Sequence, residues 1–484
     1  MCLSETPVTT SRTSFSAALA ALAVLVAAPA PGAAGTPWTA LHFATGAGFH
    51  HTLAVGDVNG DGAPDVATPN SQVSVVTVLL GLGDGSLAPF TAYPTFAEPQ
   101  DVAIADLTGD GVADLATADY TGGGVTLLRG EGDGTFAPRE ALAVGAGLVA
   151  LAPVDLNGDG RTDLAISRES GNSLAVLPAL PGGGFGAAIE VATGALPHQI
   201  ASADLDGDGH PDLALVNSGA GAVSIHRGDG TTTPGAALPF ACGPHPIGLS
   251  LADLDGDGTP DLLVTNVHAA TLSVLLGHGD GTFAAPVSYA TTPRPRGLDT
   301  GDLDGDGVPD VVVATGYPDG DSALVVYRGL GDGSLERLED VALPYRAADC
   351  VIADMNADGR PDIVATGPLA GVVTVLVQRG GAADVPTASA PGSGLDLEIH
   401  PNPAPGSATL RFRAPAGAQA TLEVFDPRGR RVAVLARGAA DGSWRQATWG
   451  GEGTRVGGSA PGLYLARLSS GGRVAQRRIV LLAR

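Results

Sequence analysis

A nine-residue acidic segment recurs seven times in this chain, and its spacing constrains the fold more than any other feature. The first copy reads Asp57-Val58-Asn59-Gly60-Asp61-Gly62-Ala63-Pro64-Asp65, and later copies begin at Asp106, Asp155, Asp204, Asp253, Asp302 and Asp354. The steps between copies are 49 residues five times and 52 once. A fixed period of this length marks a repeat architecture, in which each unit buries its apolar face only against its neighbours.

Each unit has the same internal grammar. In the second, residues 101–105 form a short apolar run into the acidic loop and 114–118 a run out of it; 125–128 is a third, closed by Gly132-Asp133-Gly134, and 136–144 a fourth. Apolar runs bounded by Gly and Asp are strand signals, and Asp-Gly favours tight hairpins. Four strands in 49 residues is the size of a propeller blade, so residues 36–380 are expected to form a seven-bladed β-propeller in an all-β protein. The seventh unit dissolves into Gly380-Gly381 before a fourth strand, while an orphan run, Trp38–Thr45, precedes the first unit. That run is expected to complete the last blade and leave no open sheet edge.

The loops carry the chemistry. Positions 1, 5 and 9 are Asp in every copy: Asp57, Asp61 and Asp65; Asp106, Asp110 and Asp114; Asp155, Asp159 and Asp163; Asp204, Asp208 and Asp212; Asp253, Asp257 and Asp261; Asp302, Asp306 and Asp310; Asp354, Asp358 and Asp362. Position 3 offers another oxygen, from Asn59, Thr108, Asn157, Asp206, Asp255, Asp304 or Asn356. Position 7 offers a backbone carbonyl, from Ala63, Val112, Arg161, His210, Thr259, Val308 or Arg360. Oxygen donors at 1, 3, 5 and 7 suit a hard cation and follow the EF-hand loop pattern. Two carboxylates within about 5 Å repel by roughly 3 kcal/mol at an effective dielectric near 20, so seven such loops call for cations. Twenty-four of the chain's 51 acids lie in these loops, and seven Ca²⁺ would return +14 of a net charge of −25. No Glu follows at position 12, so Asp at position 9 closes the set in a strand–loop–strand setting. Up to seven structural Ca²⁺ are expected, with the Thr108 loop the weakest site.

These residues, with Gly-Asp-Gly-Thr-Phe in the following turns, resemble the FG-GAP (VCBS-type) repeats of the integrin α-subunit propeller family over residues 36–380. The resemblance implies calcium loops on one face and ligands on the opposite one. Ala357 departs from the pattern where most copies have Gly, as does Gly182-Gly183-Gly184-Phe185 in the third unit. Arg227-Gly228-Asp229 spells an adhesion tripeptide but occupies the position of a repeat turn, which makes it a coincidence of register.

Just before the strand that leads into each loop the repeat breaks down, and in most units it turns polar. His50, His51, Gln100, His198, His245, Arg296 and Arg346 lie there, and Tyr317 lies in the lengthened loop of the sixth unit. Positions that vary inside a fixed register are free of the core's demands, so these eight are the candidate ligand-binding residues.

Residues 1–35 read as a cleaved signal peptide, with Arg12 ahead of an apolar stretch too short for a confident span. The mature chain is therefore expected to be secreted or at the cell surface, without a membrane span, and monomeric. Cys242 and Cys350 fall in different units and read as buried free thiols. Residues 36–394 carry a net charge near −32, which repels nucleic acid.

Residues 381–394 read as a linker. Beyond it the charge reverses: residues 395–484 hold 13 Arg and 6 acids. Seven short strand-like runs in this stretch suggest an immunoglobulin-like sandwich. His400-Pro401-Asn402-Pro403, Phe425-Asp426-Pro427-Arg428-Gly429, Trp449-Gly450-Gly451 and Gly462-Leu463-Tyr464 resemble the C-terminal modules of type IX secretion sorting and of hook-capping-protein-like immunoglobulin domains. The resemblance implies a sorting role, against which stand the Ala483-Arg484 ending and a plain spacer role.

Common catalytic motifs are absent from the sequence. The reading is thus a binding or adhesion module for an extracellular protein or glycan. The alternative is a lyase-type polysaccharide-degrading enzyme, to be recognised by a convergent set of His, Arg, Tyr and acid on the face away from the loops.

Overall fold

The computed structural model describes residues 38–46, 52–317, 323–338 and 340–379, and, towards the C-terminus, 396–400, 404–405, 407–415, 417–425, 431–440, 443–450, 462–470 and 473–482. The expected signal peptide and linker lie outside the described residues, as do His50 and His51. The chain divides into two compact units, Met1–Arg379 and Gly380–Arg484.

Unit one is all-β apart from a single 3-10 turn, Glu169–Gly171, among the described residues. Its strands form seven antiparallel sheets there, six of four strands and one of five. The second repeat is representative. Pro99–Ala105, Asp114–Asp119, Gly124–Leu128 and Glu140–Ala143 pair in sequence order as a meander. The period-two pattern tells which strands are central. The second strand is buried at every residue in the first, second, fourth, fifth, sixth and seventh repeats, whereas fourth strands such as Thr91–Pro94 and Leu238–Ala241 are largely exposed edges.

Burial runs between sheets rather than within them. Val66 and Leu79 of the first repeat share a cluster with Met355, Val364 and Val373 of the last, just as Ala116 and Leu127 pack on Leu148 and Leu164 of the next repeat. The first and last sheets are therefore neighbours. The strand Trp38–Ala44 pairs antiparallel with Val372–Gln378 in register from Trp38↔Gln378 to Ala44↔Val372, which supplies the fourth strand that the last repeat lacks. Trp38 and Phe43 are buried there. Neighbouring repeats also meet ring to ring, as in Tyr93–Phe136 and Phe240–Phe283, whose centroids lie 5.0 and 5.2 Å apart. This is a repeat β-propeller.

Cys242 and Cys350 are buried free thiols. The Arg227-Gly228-Asp229 turn is taken up by the fold. Arg227 pairs with Asp206, Gly228 N–H donates to Asp212, and Asp229 accepts from Thr231.

Unit two holds two sheets among the described residues. One joins Asp396–His400, Ser407–Arg413 and Arg445–Gly450; the other joins Ala404–Pro405, Arg473–Leu482, Gly462–Ser470, Gln419–Phe425 and Arg431–Ala439. Leu410, Phe412 and Trp449 of the first sheet form one core with Leu422, Val424 and Leu468 of the second. No helix among the described residues is long and apolar enough to cross a membrane.

Candidate functional site

The acidic loops connect the first and second strands of each repeat, and one hydrogen-bond scheme shapes all seven. The position-1 Asp accepts from the position-6 Gly N–H in every copy, at 2.8 Å for Asp57 and Gly62 and 2.9 Å for Asp302 and Gly307. The position-5 Asp accepts from the position-7 N–H in every copy as well. Position 4 needs a positive φ, which Gly supplies in six copies; Ala357 adopts φ 53° in the seventh, at a cost of about 1 kcal/mol.

Position 9 does something the sequence did not disclose. Each of these Asp is the buried first residue of the second strand, and both of its oxygens are used. Asp261 Oδ2 accepts from Leu254 N at 2.8 Å and its Oδ1 from Gly277 N at 2.8 Å. The same pair of bonds recurs at Asp65, Asp114, Asp163, Asp212, Asp310 and Asp362. This carboxylate clamps the loop to the end of the third strand without any metal. The expectation that the loop acids make sense only with cations is corrected here: position 9 has a structural task of its own. Burial pushes Asp65, Asp261 and Asp362 up to about 6, against the pull of these N–H donors.

Three loops gather three carboxylates with one oxygen of each within 4.8 Å of the others: Asp204, Asp206 and Asp212; Asp253, Asp255 and Asp261; Asp302, Asp304 and Asp306. They are the three loops with Asp at position 3. In the second loop the position-3 oxygen, Thr108 Oγ1, is buried without a hydrogen-bond partner. Clustered hard oxygens and an unpartnered one at a predicted ligand position fit a divalent cation. Two loops carry a competitor. Arg161 pairs with Asp159, and Arg360 with Asp358 at 2.7 Å, each reaching from position 7 to position 5.

A second site lies at the other end of the first strands. A cavity of about 140 Å³ is lined by residues from all seven repeats, among them Thr52, Gln100, Val149, His198, Ile247, Arg296 and Ala348. It thus brings together three of the eight candidate ligand residues, Gln100, His198 and Arg296. Burial pushes His198 down to about 4, helped by Arg296 and His245. The Arg296 guanidinium stands 5.4 Å from the centre of the Tyr317 ring. Tyr317 itself is buried, so it supports Arg296 rather than presenting a free surface. His245 stacks on His268 at 4.2 Å and lies outside the lining, as does exposed Arg346.

The sequence reading missed Tyr120, Glu169 and Asp349, which also line the cavity. Asp349 accepts from Leu53 N at 3.2 Å, and Asp101 and Asp299 likewise accept from Leu151 N and Ile352 N of the following repeat. Burial pushes Asp349 up to about 8, and Asp101 and Asp299 add to the rise. A signal existed: Asp101 and Asp349 stand at the same register, five residues before a loop, where the other repeats have no acid.

Comparison with known families assigns the repeats. A model described as an FG-GAP-like repeat matches residues 57–117, 106–166, 155–215, 204–264, 265–313 and 302–365. The chain belongs to the FG-GAP-like repeat family. No curated protein matches this FG-GAP-like chain. Among solved structures it is similar to BBS1N in complex with ARL6DN, at 14% identity and a TM-score of 0.52 over 72% of this chain and 98% of that one. It is also similar to virginiamycin B lyase from Staphylococcus aureus, at 11% identity and 0.49 over 70% and 99% of the two chains. The periplasmic gluconolactonase PpgL of Pseudomonas aeruginosa shows 18% identity and 0.49 over 60% and 85%. At such identities the likeness is one of fold alone.

Proposed function

We propose that this FG-GAP-like protein is a secreted or cell-surface binding module: a seven-bladed, calcium-stiffened propeller followed by an immunoglobulin-like sandwich. The observation that carries the reading is the contrast along each first strand. In Pro99–Ala105, Gln100, the second residue, lines the cavity and the loop residue Asp106 follows the strand's end, about 20 Å away at ~3.3 Å per residue. The loop end repeats in all seven copies; the cavity end differs in each. A scaffold fixed at one end and varied at the other is suited to recognition.

Calcium would be held by the oxygens of positions 1, 3, 5 and 7, with position 9 contributing where it joins the cluster. It would supply positive charge that relieves the carboxylate repulsion and rigidifies the loops. Thermal melts with and without a chelator, with elemental analysis, test this; an unchanged melting temperature and no bound calcium would refute it. A protein and glycan array in millimolar calcium tests the binding role, and loss of every hit on trimming back the C-terminal unit alone would move that role off the propeller. For the C-terminal unit we propose an immunoglobulin-like domain acting in sorting or as a spacer, tested by following export of a chain ending at residue 394.

One observation favours a second reading. His198, Arg296, Tyr120, Glu169 and Asp349 all line the cavity, which is the convergent set expected of a lyase-type enzyme. Incubation with acidic polysaccharides, followed by ultraviolet absorbance of unsaturated ends, distinguishes the two.

A further inference from the structure

Arg296 is the one arginine or lysine among the described residues lining the axial cavity. Its side chain forms no hydrogen bond or ion pair among the described residues; its recorded contact is the Tyr317 ring. Burial lowers its pKa, partly offset by Tyr317 and Asp349, yet a guanidinium stays charged in a protein. An enclosed cation without a hydrogen-bonded counter-ion is costly, and its planar fork matches a carboxylate with two parallel bonds.

We propose that the cavity receives the carboxylate of a uronic-acid sugar, with Arg296 as its partner and the rest of the glycan lying along the adjoining groove. This rests on the reading of the cavity end as the ligand face.

The neighbours of Arg296 leave it available. His198 is neutral at physiological pH, so it adds no second cation and still offers a ring N–H and a ring acceptor. Burial pushes Asp349 up to about 8, and it forms no ion pair with Arg296 among the described residues. Glu169, the remaining acid of the lining, interacts with the Tyr120 hydroxyl, whose pKa it raises by its charge.

The groove favours a sugar over a peptide. It has a volume of about 710 Å³ and shares Gln100, Tyr120 and Glu169 with the cavity, so the two are continuous. Its further lining includes Gln72, Glu98 and Thr121, with Ala97 the one aliphatic side chain. Amides, hydroxyls and carboxylates beside one aromatic ring suit the hydroxyls and flat face of a sugar. They offer no pocket for apolar side chains.

The test is calorimetry on the full chain in millimolar calcium. The probes are trigalacturonate, its neutral galactose counterpart, monomeric galacturonate, and a short peptide with a free C-terminal carboxylate. Trigalacturonate should bind at least tenfold more tightly than the neutral trisaccharide. Arg296→Gln should remove that advantage, with melting temperature and calcium content held. Thr121→Trp, at an exposed groove position, should remove the advantage of the trimer over the monomer; should Arg296→Gln not fold, this variant and the charge comparison on the parent chain still decide. No uronate binding, equal binding of the neutral trisaccharide, or indifference to Arg296→Gln would each overturn the proposal. Equal binding of the peptide would overturn its sugar half. The ligand-face reading fails separately: an array hit lost with Thr121→Trp but kept with Arg296→Gln leaves that face standing without the carboxylate, whereas a hit kept in both and lost on Trp444→Ala in the C-terminal unit removes the face itself.

Discussion

The two ends of the first strands follow opposite rules. At the loop end, seven copies of one nonapeptide fold by one hydrogen-bond scheme, with Asp at positions 1, 5 and 9 and Gly at position 6 in every copy. At the cavity end the same register holds Gln100, Val149, His198, Ile247, Arg296 and Ala348, with no two alike. Packing explains the difference. The loop end must place a carboxylate beneath every second strand to clamp it, so each repeat needs the same residues. At the cavity end no bond shared by all the repeats fixes the side chain at this register, so each position is free to vary.

The largest effect expected is from stripping calcium. A ligand present at a hundred times its dissociation constant stabilises the folded state by about 2.7 kcal/mol per site, and several sites act together. A chelator should therefore lower the melting temperature by well over 10 °C while uronate binding, measured below the new transition, survives. Equal loss of both would show that the two ends are not independent.

Next comes the clamp. Asp261→Ala leaves Leu254 N–H and Gly277 N–H without their acceptor, at a cost of about 1–3 kcal/mol for each buried group. Asp255→Ala, in the same loop, removes the position-3 oxygen proposed to hold a cation, with only an exposed bond from Asp257 N at 3.2 Å that water can replace. In chelator the first variant should still melt below the parent and the second should match it. If both match the parent, the position-9 clamp contributes nothing apart from metal.

This distinction marks the limit of what the sequence discloses. The period, the four-strand grammar and the closing strand Trp38–Ala44 were readable because each depends on local pattern: turn chemistry, alternation, and one strand missing at one end and spare at the other. The spacing of the loop oxygens was readable too, and three of the loops do gather three carboxylates. The clamp was not, because Asp261 reaches Gly277 sixteen residues on, and spacing alone does not separate a metal ligand from a backbone acceptor. At the cavity, Gln100, His198 and Arg296 stood out as polar breaks in register. Tyr120 and Glu169 did not, since they lie after the second strands of the second and third repeats and meet the others only once the sheets are arranged in space. Tyr317 looked exposed because its loop is long, but its ring is buried beneath Arg296.

A smaller effect tests the cavity end by pH. The folded state raises Asp349 to about 8 from the ordinary carboxylate value near 3.8, so burial disfavours its ionised form. The stability this gives the protonated group is complete below the unfolded pKa and is lost as pH rises through the folded one. Asp101, pushed up to about 6, and His198, near 4, have finished titrating by pH 7. From pH 7 to 9, at saturating calcium, stability should fall by roughly 1–2 kcal/mol. Asp349→Asn should be less stable at pH 7, because an amide cannot accept from both Leu53 N and Cys350 N, and should show a flatter slope above it. A parallel slope in both proteins would assign the loss elsewhere.

The smallest expected effect separates the loops from one another. Two explanations compete for which site is weakest. Position-3 chemistry points to the second loop, where Thr108 offers a hydroxyl in place of a carboxylate or amide oxygen. The structure adds the third and seventh loops, where Arg161 and Arg360 already pair with the position-5 carboxylates a cation would need. These pairs are partly exposed, and such pairs are worth about 0.2–1 kcal/mol, so breaking one to admit calcium should cost at most about fivefold in affinity. Arg161→Ala with Arg360→Ala should tighten two of the sites by about twofold to fivefold, seen as a shift of the weakest steps in a chelator-competition titration. Thr108→Asp should tighten one site and bring the second loop into line with the three that gather three carboxylates. If the arginine variants leave the titration unchanged while Thr108→Asp moves it, position 3 alone ranks the sites, and the ion pairs give way to calcium at no measurable cost.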